Sequence, residues 1–269
     1  MAIELFRSTW GIDAPWEVIF PQIFTQGYRG VELGVPLEAH EQTRLQSALQ
    51  HNHLGYIAMV FSSGDTLADH ITSSTSQIMA AIACGARQIT LHGWRDNSSF
   101  ADGCTYIEAI LTLEQRLGIA IAHETHRGRL LYNPWHTDTY LQRYPAMHIC
   151  ADYSHWVVVA ERLLTDAEAI FARCAHHAIH VHTRVGHAQG PQVADPSLPR
   201  FAAEHAAHEH WWQLIVAAQA QQSRPLTMTP EYGPPAYQAT DATTNLPLRP
   251  LTEIVAWQTA RLRTLFAID

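Results

Sequence analysis

Only 16% of the chain is charged, and no basic stripe or run concentrates positive charge along it. With 17 basic against 25 acidic residues the formal net charge is −8. Nucleic-acid binders gather cationic side chains on one face, so no nucleic-acid partner is expected. A bound metal can contact phosphate directly, so charge weakens that reading without removing it. Cysteine is scarce too: Cys84, Cys104, Cys150 and Cys174 never form a CxxC pair, which indicates neither a zinc–thiolate module nor a disulfide framework. Cys150 lies inside an apolar run and reads as a packed thiol. Residues 1–11 show neither a basic segment leading into an apolar one nor a long apolar span, so the expectation is a cytoplasmic protein with no membrane partner. The first strand-like run is followed by Ser8-Thr9-Trp10-Gly11, not the Gly-rich phosphate loop of an open dinucleotide-binding sheet.

What the chain does have is length, apolar content and a regular alternation. Its 269 residues, 47% of them hydrophobic, approach the ~250 typical of one eight-fold barrel. Short apolar or β-branched runs at 3–9, 30–33, 54–61, 88–92, 119–124, 147–152, 178–183 and 226–231 alternate with helical patterns. Those helices are expected at 15–26, 37–51, 66–84, 105–117, 137–144, 166–175, 199–222 and 251–266. Eight strand–helix repeats with little alternation inside the strands predict an α/β fold: a single (β/α)8 TIM barrel spanning 1–269. Its active site is expected at the C-terminal ends of the strands. Two long stretches, 184–198 and 232–249, follow strands and read as substrate-covering loops. They could bury an active site alone or with a second copy in a homo-oligomer.

Histidine is abundant, at 18. Most are expected to be bland, with His205, His208 and His210 facing solvent from an Ala-rich helix. Position is more telling. The fifth to eighth strand runs end on Glu124, Asp152, His182 and Glu231. Each alone is weak, because polar residues are common at strand ends. Together they place three carboxylates and an imidazole on one rim, where they repel unless a cation neutralises them. This oxygen/nitrogen set predicts one divalent metal, Mn²⁺ first, with Mg²⁺, Co²⁺ or Zn²⁺ as alternatives. His180 and His182 share a strand face, and His182 is preferred because it lies nearer the C-terminal end. His123 should point at the surrounding helices. Trp10 and Trp94, just past strand tips, could form apolar walls for a substrate.

Four short motifs, Glu124-Thr125-His126, Asp152-Tyr153-Ser154-His155-Trp156, His180-Val181-His182-Thr183-Arg184 and Pro230-Glu231-Tyr232-Gly233-Pro234, occur in an order that resembles the xylose-isomerase-like sugar isomerase/epimerase superfamily. Gly30-Val31-Glu32-Leu33 fits its second strand. The grouping includes ketose 3-epimerases, hydroxypyruvate isomerases, inosose dehydratases and endonuclease IV. The resemblance spans the whole chain in element order and implies metal ligation by Glu124, Asp152, His182 and Glu231. It implies that His155 reaches the substrate or the surroundings of the metal, and that His92 faces the same mouth. Two positions depart from the ketose 3-epimerases, which carry a glutamate where Leu130 stands and an arginine where Ala188 stands. Arg127, Arg129 and Arg184 could supply cationic contacts instead, suited to a carboxylate or phosphate. The Asp-x-His of endonuclease IV is missing after His182.

The expected function is therefore isomerisation or epimerisation of a sugar or sugar derivative through a metal-stabilised enediolate. Glu124, Glu231 and His155 are the candidate catalytic groups, and His92, Arg127, Arg184 and Trp10 the candidate substrate contacts. A lyase acting on a keto-sugar or keto-inositol is the alternative. An endonuclease IV-like phosphodiesterase and a non-catalytic sugar binder are minor alternatives.

Overall fold

Local signals set the helix ends. Thr66 caps the helix Leu67–Ala83 through its hydroxyl, which accepts from the Asp69 amide, while the Asp69 carboxylate accepts from the Thr66 amide; this reciprocal box satisfies two of the amides a helix leaves free. The helix Phe100–Leu117 ends where Gly118 takes a left-handed φ of 65°, a conformation glycine adopts without a Cβ penalty.

The computed structural model describes residues 2–268. In chain order they form β1 (Ile3–Ser8), α1 (Trp16–Thr25), β2 (Gly30–Gly34), α2 (Ala39–His51), β3 (Gly55–Phe61) and α3 (Leu67–Ala83). Then follow β4 (Gln88–His92), α4 (Phe100–Leu117), β5 (Ala120–Glu124), α5 (Pro134–Arg143), β6 (His148–Ala151), α6 (Ser154–Ala160) and α7 (Glu168–His177). The chain closes with β7 (Ala178–His182), α8 (Ala202–Gln221), β8 (Leu226–Thr229) and α9 (Leu251–Phe266). All neighbouring strands pair in parallel, and β8 returns to β1 in the register Ile3 to Leu226. The result is a closed eight-stranded barrel ringed by helices, as the alternation predicts. The core lies between barrel and helices, from Leu5, Val31, Ile89 and Ile121 outward to Ile110, Phe171 and Trp212.

Several boundaries differ from expectation. α4 starts at Phe100 rather than 105 because the Ser99 hydroxyl accepts from the Asp102 amide. α5 starts at Pro134 because Asn133 caps it through its side chain. The short α6 lies where no element is expected, and it ends where Glu161 turns left-handed. β6 and β8 stop one and two residues before Asp152 and Glu231, so those carboxylates stand on the rim just beyond the ladder.

Two histidines expected at the surface are interior. His205 and His208 are buried, whereas His210 is exposed and meets Glu168. Apolar residues in α8 are distributed around the helix, so no solvent face is legible from its pattern. His208 packs on Trp211, and its Nε2 accepts from the Gly186 amide, fastening the loop after β7. Burial pulls its pKa down to about 4, so it serves as a neutral acceptor. Among the described residues, no helix is long and apolar enough to cross a membrane.

Candidate metal centre

The ligand-bearing tips are held by the backbone just past the strands. Thr125 and Asp152 clamp each other: the Thr125 hydroxyl accepts from the Asp152 amide at 2.8 Å and donates to the Asp152 carbonyl at 2.9 Å. Glu231 is turned inward as its amide donates to the Thr229 carbonyl, which also accepts from the Thr183 amide. All four predicted ligands converge, and all are buried. His182 Nδ1 lies 3.5 Å from Glu124 Oε1, 3.5 Å from Glu231 Oε2 and 3.9 Å from Asp152 Oδ2. Ligands around an ion at ~2.1 Å stand roughly 3–4 Å apart, so these separations suit a divalent cation.

Hydrogen bonding points the same way. His182 Nδ1 and Glu124 Oε1 are buried without a hydrogen-bond partner. Such groups are rare because an unmade buried bond costs about 1–3 kcal/mol. Electrostatics adds to the demand for a cation. Burial, with the charge of Glu124 nearby, raises the pKa of both Asp152 and Glu231 in spite of Arg184. Burial would also raise Glu124, but His92 and His182 beside it hold it well below the usual carboxylate range. Burial opposes charge on His182, yet Cys150 and the carboxylates of Glu32, Glu231 and Glu124 push its pKa well up. The donor set therefore fits the predicted ion.

A second layer lies directly beneath. Glu32 of β2 is fully buried, with Oε1 3.0 Å from His182 Nε2 and Oε2 3.0 Å from His180 Nε2. Thr90 donates to Oε1 at 2.6 Å. Burial alone would raise the Glu32 pKa, but the two imidazoles hold it well below its usual range. An ionised Glu32 can only accept, so His182 Nε2 keeps its hydrogen, and a metal entering the rim would displace the proton on Nδ1 and take up its lone pair. His180 is thus spoken for, with Nδ1 2.7 Å from the Thr227 hydroxyl. Cys150 stays a packed thiol, its pKa raised by burial.

Above the rim opens a cavity of about 340 Å³, within the range that accommodates small molecules. Trp10, His92, Glu124, Arg184 and Glu231 line it. His92 Nε2 touches Glu124 Oε2. Tyr237, from the loop after β8, lies across the mouth: its ring stands edge-on to Trp10 at 5.1 Å, with the Arg127 and Arg184 guanidiniums each 5.5 Å from it. Trp10 reaches this place because Gly233 has no Cβ; one there would lie 2.3 Å from the indole. The two long loops are joined by Gln192, whose side chain bonds Gly233 in both directions.

Not every predicted contact reaches the cavity. Arg127 is exposed and meets only Tyr237 from outside. Arg129 donates to the Ser62 carbonyl. Trp94 is buried against His70 and Tyr106 and walls nothing. His155 is fully buried behind Arg184, whose Nη2 donates to its Nε2 at 2.6 Å. His123 is buried beside Glu114 and His148, on the helix side of the barrel.

Sequence reasoning assigned no role to Glu32, Thr90, His126 or Tyr237. His126 lines the cavity with its Nδ1 2.5 Å from the Arg127 carbonyl. One signal was available: His180, His182 and Arg184 occupy alternate positions, so all three face the barrel axis.

The fold and rim together define a closed (β/α)8 barrel with buried carboxylates and an imidazole gathered at the C-terminal ends of its strands. No family model matches the sequence, and no curated protein matches it. Solved structures do match. A 3-keto-D-glucoside 4-epimerase from E. coli is 13% identical with a TM-score of 0.62, covering 97% of this chain and 99% of its own. A probable 3-DHS dehydratase from Bacillus anthracis is 14% identical at 0.62, covering 98% and 99%. Endonuclease IV from Thermus thermophilus is 10% identical at 0.59, covering 99% of both. Likeness at this identity establishes the fold, and the chemistry rests on the residues.

Proposed function

We propose that this chain is a divalent-metal-dependent isomerase or epimerase acting on a sugar or sugar derivative next to a carbonyl. The carrying observation is that buried, unpaired His182 Nδ1 faces Glu124 Oε1, Glu231 Oε2 and Asp152 Oδ2 at 3.5, 3.5 and 3.9 Å. Asp152 and His182 hold the ion; Glu124 and Glu231 hold it and exchange protons. The metal, when bound, polarises the carbonyl and balances the charge that builds as the α-proton leaves. Glu124 and Glu231 are each 3.5 Å from His182 Nδ1, and as flanking bases one removes the proton while the other returns it. His92, in contact with Glu124, is placed to pass that proton on. Trp10 and Tyr237 exclude water from the mouth. All 17 basic residues are arginines, so a lysine Schiff base has no residue to form on, and carbonyl activation falls to the metal. Mn²⁺ is the first candidate.

Dehydration of a keto-sugar is the second reading, favoured by His92 on the cavity wall, where it could protonate a departing hydroxyl. A nuclease reading is disfavoured by the net charge and by the missing Asp-x-His.

Elemental analysis of wild type and Glu231→Gln tests the centre. About one metal per chain should fall at least ~100-fold in affinity when a direct ligand is lost, since even surrounding residues cost 10–100-fold; equal content in both proteins refutes the assignment. Ketoses, keto-acids and inososes incubated in D₂O and quenched with EDTA then separate the reactions by NMR. Deuterium incorporation without loss of water supports the isomerase, and an unsaturated or deoxy-keto product supports the lyase.

A further inference from the structure

Arg184 is a rim side chain whose position conflicts with a metal. It is 2% exposed, inside a shell of three carboxylates. Its Nη2 donates to Asp152 Oδ2 at 2.5 Å and its Nη1 lies 3.4 Å from Glu231 Oε2. These are the same two oxygens that face His182 Nδ1. Asp152 has no alternative to offer, because Oδ1 accepts from both the amide and the hydroxyl of Ser154. The guanidinium also donates through Nε to the Ser154 hydroxyl and through Nη2 to His155 Nε2. Its outer side stands beside the Tyr237 ring and lines the cavity.

We propose that Arg184 is a resident counter-cation of the metal-free site, that it competes with the metal for Asp152 and Glu231, and that metal loading turns it into the mouth to hold an anionic group of the substrate. This rests on the metal reading above and deepens it to a substrate class: a sugar derivative carrying a carboxylate or phosphate. Two cations cannot share two oxygens without repelling each other, so an ion entering opposite His182 Nδ1 weakens the hold on the guanidinium. Released, Arg184 presents a planar fork to the cavity, suited to two-point contact with an oxyanion. His155 Nε2 is freed in the same step, which brings a buried imidazole into play only when the metal is bound. Linkage makes the effect reciprocal: an anion that draws Arg184 away must tighten metal binding by the factor by which the metal tightens the anion.

Calorimetric titration of Mn²⁺ into metal-stripped protein tests this, using wild type, Arg184→Met and Arg184→Lys, with and without inorganic sulfate. Arg184→Met should bind Mn²⁺ about tenfold tighter or more than wild type, and sulfate should tighten Mn²⁺ binding several-fold in wild type only. Its metal-free melting temperature should fall, and its rise on Mn²⁺ addition should exceed that of wild type. If Arg184→Met does not fold without metal, Arg184→Lys decides: an ammonium cannot span both oxygens, so Mn²⁺ should again bind tighter than in wild type. Equal or weaker binding by the variants means that Arg184 merely orients Asp152, which overturns the proposal while the metal centre stands. Absence of a sulfate effect in wild type overturns the anion role. If no protein binds Mn²⁺, Mg²⁺, Co²⁺ or Zn²⁺, the metal reading itself fails, and the competition with it.

Discussion

Two layers of the same barrel interior, a few ångströms apart, are built on opposite terms. The lower layer is closed: Glu32 meets His180, His182 and Thr90, and every partner is within 3.0 Å. The upper layer is open: His182 Nδ1 and Glu124 Oε1 have no hydrogen-bond partner. His182 belongs to both, its Nε2 finished and its Nδ1 waiting. Both layers bury charge, so burial alone does not mark a functional site. What sets the rim apart is unfinished bonding among three converging carboxylates. The lower layer is part of what makes the protein fold, whereas the upper one holds like charges together at a cost that a bound cation offsets.

Glu32→Leu should give the largest effect. It strands two buried imidazole donors and costs about 3–5 kcal/mol in urea unfolding, as expected when one partner of a buried ionic cluster is removed. Glu231→Gln in the upper layer, measured metal-free, should cost under about 1 kcal/mol because it relieves the burial and like-charge crowding that raise the Glu231 pKa. Equal losses for the two would break the distinction between layers.

Thr90→Val is the sharper, smaller probe. It removes one hydrogen bond to a charged acceptor, worth about 1.5–3 kcal/mol, and loosens the support of His182. Metal affinity should fall about tenfold, although Thr90 touches no rim carboxylate. Unchanged affinity would show that the lower layer does not tune the upper.

The smallest effect is outside the barrel. Arg173 on α7 forms a two-point pair with Asp138 on α5, at 2.6 and 2.7 Å, and holds the Asp138 pKa below its ordinary value. A depressed carboxylate stabilises above its unfolded pKa of about 4, and that contribution disappears as pH falls through the folded value. Asp138→Asn should therefore cost about 1 kcal/mol or less near neutrality, with the gap from wild type closing in acid and metal binding unaffected. A loss that persists in acid would show that Asp138 stabilises by packing instead of charge.

Much of this was legible beforehand. Strand–helix alternation exposes the barrel because parallel strands buried on both faces leave a continuous apolar record, and the four ligands stand out because they recur at successive tips. Glu32 is visible within its strand pattern but has no role there. A single glutamate in the first half of the chain does not show that barrel closure brings it to His180 and His182, 148 and 150 positions away. The burial of His205 and His208 was hidden for a related reason: α8 has no polar face, and only packing decides which side of it meets solvent.

By itself, the sequence determined the order of elements, the (β/α)8 class and the four polar residues that end successive strands, because each depends on patterns local to a strand or helix. Only the tertiary structure decided that one carboxylate underlies two imidazoles, that Arg184 rests on the Asp152 and Glu231 oxygens facing His182, and that Tyr237 closes over Trp10. Those are contacts between distant segments, and their geometry is fixed by closure of the barrel.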